Sequence, residues 1–338
     1  MLNRYSRQIR YKRIGTEGQE KLLASRVCII GMGALGCASA SLLARAGVGY
    51  IRIVDRDLVE ISNLQRQILY TEKDALENVP KVFAAASHLQ EANSTITIDP
   101  VFQDLNSSSC SKILEGIDLI VDATDNLETR YLINEYCVEN QVPWIYGGAV
   151  GSEGMTASFL PGGPCFSCFT GHADASSSSS GRTCSTEGVL NSLTSIIASY
   201  QVTEAIKILT GSSDVRKDLL FVEIWDNETE YLSLEKNPSC PICSGKAYHY
   251  LGRAAGTSAI SLCGKDAYQV VPSGSSAPDM QALQASLKQL GSVTVNRFYL
   301  QFQSPEACFK LFPDGRAIIE HADSPGQAKS IYSEYIGM

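Results

Sequence analysis

The sequence predicts an α/β protein: a Rossmann-like mixed sheet carrying a structural zinc site, followed by a small C-terminal α+β module. Three observations carry this reading. A strand, glycine turn, helix and strand follow one another between Arg26 and Asp57. Two CxxC pairs stand at Cys165 and Cys168 and at Cys240 and Cys243. After Cys243 the composition shifts to short strand-like runs, so residues 1–250 read as a nucleotide-binding domain and 251–338 as a separate module.

In chain order, the opening segment reads as basic and helical, with Arg4, Arg7, Arg10, Lys12 and Arg13. Charge alone makes it a solvated arm. Val27 to Ile30 is an unbroken apolar run, as a parallel strand buried on both faces requires. Gly31, Gly33 and Gly36 follow at the spacing GxGxxG, which permits a tight turn, backbone approach to a phosphate, and close packing of helix on strand. The next helix carries Leu35, Leu42 and Leu43 and stops at Gly47. Tyr50 to Val54 is β-branched-rich and delivers Asp55, an acid placed to hold ribose hydroxyls. Which nucleotide binds is left open by this unit.

The polar run at Asn63, Gln65, Arg66 and Gln67 reads as a loop at the carboxyl edge of the sheet, where open α/β folds bind ligands. Pro80 suits a helix first turn with Lys81 beside it, and Val82 to Ala92 continues that helix. Thr95 to Val101 and Ile117 to Val121 read as strands. The second leads to Asp122 and Asp125, which at such a position either cap the following helix, Glu128 to Asn140, or hold magnesium beside a nucleotide. Trp144 to Tyr146 completes the parallel strands, and Thr156 to Leu160 reads as antiparallel.

Two CxxC pairs supply four thiolates, enough to fill a tetrahedral zinc. With no position left for substrate, the metal is read as structural. Between the pairs lies a serine-rich stretch ending near Arg182 and Cys184, where a thiol beside a cation is either activated or spare. The helix from Glu187 to Gly211 is more apolar than one face needs, so it is central to its domain or buried against a second subunit. Leu219 to Trp225 and Tyr231 to Leu234 form a hairpin around Asn227. In the module, Ser258 to Cys263, Ala267 to Val271, Phe298 to Gln303, Phe309 to Phe312 and Arg316 to Glu320 read as strands, with helices at Gln281 to Leu290 and up to Tyr335.

At 338 residues, with 44% hydrophobic and 19% charged residues, the chain has an ordinary globular composition. A net charge of −8 argues against nucleic acid as a partner. No apolar run approaches the roughly 20 residues of a bilayer span, so no membrane association is expected and the protein is read as cytoplasmic. Eleven cysteines in a reducing compartment then point to metal, chemistry or packing rather than disulfides.

The residues RYSRQI, GMGALG, DRDLVEISNLQRQ, PK, DATDN, CFSC, CSTEG and CPIC stand in an order and spacing that resemble the ThiF/MoeB adenylyltransferases, relatives of the ubiquitin-activating enzymes. The resemblance spans about Leu2 to Gly245. It implies ATP as the nucleotide, with magnesium, and a ubiquitin-like sulfur-carrier protein as substrate. The carboxylate of the carrier's Gly-Gly tail attacks the α-phosphate, giving an acyl-adenylate and pyrophosphate, for thiamine or molybdopterin biosynthesis. It also implies a homodimer and a separate sulfurtransferase or cysteine desulfurase. By position, Gly31, Gly33 and Gly36 hold the nucleotide, Asp55 takes the ribose, and Asp57 and Asn63 line the pocket. Arg66 and Lys81 neutralise phosphates, Asp125 is the essential acid, and Arg7 reaches the neighbouring subunit's site. Cys184 matches a cysteine that joins the carrier in the thiamine branch, although Asn191 and Ser192 depart from the pattern around it. Two other classes compete: a nicotinamide-dependent oxidoreductase, which lacks any evident hydride-transfer site downstream, and a noncatalytic scaffold, which has no use for Arg66, Lys81 and Asp125 together.

Overall fold

The computed structural model describes residues 2–171, 187–253, 258–261, 267–272 and 278–337. Two compact units divide the chain, residues 1–253 and 254–338.

The first unit is organised by β1 (Arg26–Ile30), whose last four residues are buried. The glycine turn follows, then α1 (Ala34–Ala46), which stops at Gly47 with φ 87°. The left-handed backbone there suits glycine, and Tyr5 packs so closely that an added Cβ would lie 2.5 Å from its ring. Next come β2 (Tyr50–Val54), α2 (Lys81–Ala92) and β3 (Thr97–Val101). The chain then returns to the other side of β1 with β4 (Leu119–Asp122), α3 (Leu127–Asn140) and β5 (Trp144–Val150). The expected strands and helices are thus present, Tyr50–Val54 with both ends as expected and the others with ends moved by at most four residues.

An eight-stranded sheet results, in the order β3-β2-β1-β4-β5-β6-β7-β8, adding β6 (Glu153–Phe159), β7 (Leu219–Glu223) and β8 (Glu228–Leu232). Strands β1 to β5 pair in parallel and β5 to β8 antiparallel. Pro100 lies in β3, at the sheet's edge, where a missing N–H leaves no ladder bond unmade. The hairpin turns at Asn227, with φ 61°.

Helix α4 (Asn191–Thr210) begins four residues later than its apolar pattern predicts and ends at Gly211, also left-handed. One face, with Leu193, Ile197 and Ala198, packs with Leu35 and Ala38 of α1 and Leu220 and Val222 of β7. Gly154 of β6 admits this contact, since a Cβ there would meet Ile197 at 2.6 Å. The opposite face leaves Ile196, Ser199 and Thr203 exposed. Central burial therefore explains only one side of the helix. Among the described residues, no helix is long and apolar enough to cross a membrane.

The second unit contains a six-stranded antiparallel sheet, β11-β12-β13-β14-β10-β9. In chain order the strands are β9 (Ser258–Ser261), β10 (Ala267–Val271), β11 (Ser292–Val295), β12 (Leu300–Gln303), β13 (Cys308–Leu311) and β14 (Ala317–Glu320). Phe302, Phe309, Leu311 and Ile319 form its core with Leu287 of α5 (Met280–Leu287) and Tyr332 of α6 (Pro325–Tyr335). The edge strand β11 is absent from the sequence reading because most of its residues are exposed, which erases the apolar alternation.

Candidate active site

The carboxyl ends of β1 and β4 meet at the point where strand order reverses, and the glycine turn occupies that point. Gly31 has φ 91°, and its position leaves no side-chain room: a Cβ would lie 2.6 Å from the Ala123 carbonyl oxygen. A Cβ on Gly36 would lie 1.9 Å from the Gly31 carbonyl oxygen, so helix and turn touch only because both residues are bare. Around Gly33 the nearest atom is Gln67 Nε2 at 4.0 Å, which leaves space beside the turn for a phosphate.

Asp55 is tied to this turn. One carboxylate oxygen accepts from the Met32 N–H at 2.6 Å, and the other from the Asp57 N–H at 2.7 Å. A carboxylate retains lone pairs beyond two such bonds, so ribose hydroxyls can still be accepted. Burial raises the Asp55 pKa, with Lys81 opposing that rise. Lys81 is itself nearly enclosed, its Nζ 2.9 Å from Asp57 Oδ2 and its backbone N–H bonded to the Asp57 carbonyl. Although burial works against its charge, Asp57 and Asp55 together raise its pKa, so the ammonium persists.

Arg66 differs from Lys81. Its guanidinium donates to the Ser62 carbonyl at 3.3 Å, and no carboxylate pairs with it among the described residues. Its positive charge is therefore available to an anion, while that of Lys81 is balanced in advance. Asn63 closes the helical turn Ile61–Asn63 immediately before it. Asn191, noted as a departure from the family pattern, donates from Nδ2 to the Gln65 carbonyl at 3.2 Å and so holds the loop that carries Arg66.

Neither Asp122, the last residue of β4, nor Asp125 caps α3. Asn126 does so, accepting from the Thr129 N–H at 2.8 Å. Asp122 is buried and takes both Thr124 groups on Oδ1, the N–H at 2.9 Å and the hydroxyl at 2.6 Å, while Arg130 Nε lies 3.1 Å from Oδ2. Asp125 is exposed at the loop's tip. Arg130 and Gln201, which the sequence reading did not single out, both reach this edge; Gln201 Nε2 donates to the Asp122 carbonyl at 2.7 Å. A lone glutamine within an apolar helical face was the available signal.

Arg7 does not join these residues. Its exposed side chain belongs to the short helix Ser6–Ile9, where Gln8 donates to the Ala46 carbonyl at the far end of α1. Thirteen residues of helix separate that end from the glycine turn, about 20 Å, beyond an arginine's reach. Cys184 lies outside the described residues.

Distant from the turn, Cys165, Cys168, Cys240 and Cys243 gather with their sulfurs all within 4.8 Å of one another. Three of the separations are 3.8, 3.6 and 3.5 Å. Four thiolates about 2.3 Å from one zinc would be roughly 3.8 Å apart, so the set fits that metal. Ile242, Val138 and Tyr248 surround it, which suits a structural role.

Residues 5–242 match the model of the ThiF family. The sulfur carrier protein ThiS adenylyltransferase of Bacillus subtilis (strain 168) is 39% identical, with 100% of each chain covered. The molybdopterin-synthase adenylyltransferase of Escherichia coli (strain K12) is 36% identical over 71% of this chain and 95% of its own. The crystal structure of E. coli MccB with ATP superposes with a TM-score of 0.63 at 23% identity, covering 71% of this chain and 74% of the other; at that identity the likeness is one of fold.

Proposed function

Given that the chain belongs to the ThiF family, we propose that it adenylates the C-terminal glycine carboxylate of a ubiquitin-like sulfur-carrier protein, using ATP and releasing pyrophosphate. The carrier is ThiS-like or MoaD-like, for thiamine or molybdopterin biosynthesis. The observation that carries this reading is the pairing of a glycine turn open at Gly33 with two cations in different electrostatic states. A carboxylate and a triphosphate repel each other, and the attacking group is already ionised. What the reaction needs is therefore positioning and charge compensation, not a general base.

The backbone at Gly31, Gly33 and Gly36 admits the phosphates, and Asp55 accepts from the ribose. Asp57 and Asn63 line the same pocket. Lys81, fixed by Asp57, orients the phosphate chain without adding much net charge, and Arg66 compensates the charge that builds as pyrophosphate leaves. Asp125, exposed at the tip of its loop, would hold magnesium, which would supply further charge compensation to the phosphates. The carrier's tail carboxylate attacks the α-phosphorus, forming the C–O–P linkage of the adenylate as the bond to pyrophosphate breaks. Zinc at the four cysteines is structural. A sulfurtransferase or cysteine desulfurase then supplies the sulfur, and Cys184 matches by sequence position the cysteine that takes part in that transfer in the thiamine branch. Nine cysteines in the thiol state among the described residues, four of them the zinc set, suit a cytoplasmic setting.

Exchange of labelled pyrophosphate into ATP, dependent on a ThiS-type carrier ending in Gly-Gly, tests this reading. Asp125→Ala is expected to lower that exchange on the order of 10²–10³-fold. Unchanged exchange in this variant would remove Asp125 from the mechanism.

In the family, the arginine that Arg7 matches acts across a homodimer, and the distance along α1 supports the same arrangement here. Equal mixing of Arg7→Ala and Asp125→Ala chains should then restore about a quarter of wild-type exchange, because half the dimers are mixed and each holds one complete site. A mixture as inactive as its components would place Arg7 outside the neighbouring site.

A further inference from the structure

The carboxyl edge between β4 and β5 is held open by polar side chains. The two strands pair only at Ile120 with Trp144 and Val121 with Ile145. Beyond that point β5 continues against β6 alone, from Tyr146 paired with Ala157 to Val150 paired with Glu153. Asp122 and Gly147 therefore lack the ladder partner that a longer pairing would give them. Gln201 Nε2 supplies the Asp122 carbonyl with a donor at 2.7 Å and also lies 3.4 Å from the Ile145 carbonyl. Arg130 completes the gap, donating from Nη2 to the Thr124 carbonyl at 2.6 Å and to the Gly147 carbonyl at 3.1 Å. Its guanidinium carbon lies 4.9 Å from the centre of the Tyr146 ring.

Every polar group of Thr124 is consequently engaged by this pair. Its N–H and hydroxyl donate to Asp122, and its carbonyl accepts from Arg130. On the other side, Asn126 is fixed as the cap of α3. Asp125 thus projects from between two immobilised residues, two positions after Ala123, whose carbonyl oxygen would lie 2.6 Å from a Cβ added at Gly31. A buried ion pair is a poor source of stability, because desolvating both charges offsets their attraction. It can, however, specify one geometry where an apolar filling would allow several.

We propose that Arg130 and Asp122 are positioning residues that set the direction of Asp125 toward the phosphate pocket. This rests on the proposed role of Asp125 as a magnesium ligand. The role assigned to Arg130 needs no contact with nucleotide or carrier: it acts on Asp125 through Thr124 and, to a smaller extent, through its own charge. Lysine at position 130 keeps the charge but offers a single ammonium in place of a planar fork that spans Asp122, Thr124 and Gly147.

The test uses the full chain and compares wild type, Arg130→Lys, Asp122→Asn and Asp125→Ala, each checked for a cooperative thermal transition. Calorimetric titration with ATP, with and without magnesium, needs no carrier. In wild type magnesium should strengthen ATP binding. Asp125→Ala and Arg130→Lys should lose that gain to a similar extent while magnesium-free binding stays within about twofold. Asp122→Asn should follow Arg130→Lys. Where a ThiS-type carrier supports exchange, Arg130→Lys should lower kcat about tenfold or more with the KM for ATP little changed. Combined with Asp125→Ala it should add no further loss. If Asp125→Ala loses the magnesium effect and Arg130→Lys keeps it, the positioning role is wrong. If Asp125→Ala itself keeps the effect, the metal role of Asp125 fails, and the positioning role falls with it.

Discussion

Replacing Gly36 with alanine is expected to cost about 3 kcal/mol or more of folding stability, while the same change at Gly33 should cost little stability and much of the affinity for ATP. The two residues lie three apart in one turn and differ in what surrounds them. A Cβ at Gly36 would stand 1.9 Å from a backbone oxygen that cannot swing aside, so α1 must withdraw from β1 and open the contact between Leu35, Ala38 and α4. At Gly33 the nearest atom is 4.0 Å away and φ is −78°, which any residue adopts. An alanine there fits the protein and occupies the space offered to a phosphate. Denaturant unfolding and nucleotide titration on the two variants separate the effects; a stable Gly36→Ala protein with normal ATP affinity would contradict the packing argument.

Removal of the metal from the four cysteines should have the second large effect. Prolonged chelation, or Cys165→Ser, is expected to release one zinc per chain and lower the melting temperature by roughly 10 °C. The site joins segments 75 residues apart in sequence, Cys165 to Cys240 and Cys168 to Cys243. The first knuckle is bonded to α3 through the Phe166 N–H to Asn134 Oδ1 at 2.8 Å. The chain after the second returns to α3, where buried Glu135 accepts from the N–H groups of His249, Tyr250 and Leu251 at 2.8–2.9 Å. Without a cation, burial and neighbouring sulfurs push the Cys165 thiol pKa upward, so that group favours its neutral form and no charge attraction ties the two segments together. Metal analysis showing no zinc, together with an unchanged transition in Cys165→Ser, would make the cluster four packed thiols.

The nucleotide unit was legible in the sequence because its physics is local. A buried parallel strand needs an apolar run, and a turn with no room for Cβ needs glycine. The CxxC pairs were legible for the same reason, each pair being set by one tight turn. Residues acting through long-range geometry were less legible. Lys81 and Asp57 are 24 positions apart, so sequence places both in the pocket without showing that each neutralises the other. Asp122 looked like a helix cap because that is what an acid at such a place does locally; its partnership with Arg130 depends on β5 departing from β4, which no short-range pattern encodes. Asn191 read as a departure from a pattern and proves to be a bond to the loop of Arg66. The exposed stripe of α4 is likewise invisible to composition, since Ile196 and Ile197 are neighbours in sequence with opposite surroundings.

Intact-mass measurement of a ThiS-type carrier, incubated with this chain, ATP and magnesium and quenched in acid, tests the central claim most directly. The account predicts a carrier heavier by one adenylate, located at its terminal glycine, and lost when Arg66 or Asp125 is replaced by alanine. A carrier that stays unmodified across a panel of Gly-Gly proteins, while ATP is left intact or the chain binds NAD in preference, would contradict it.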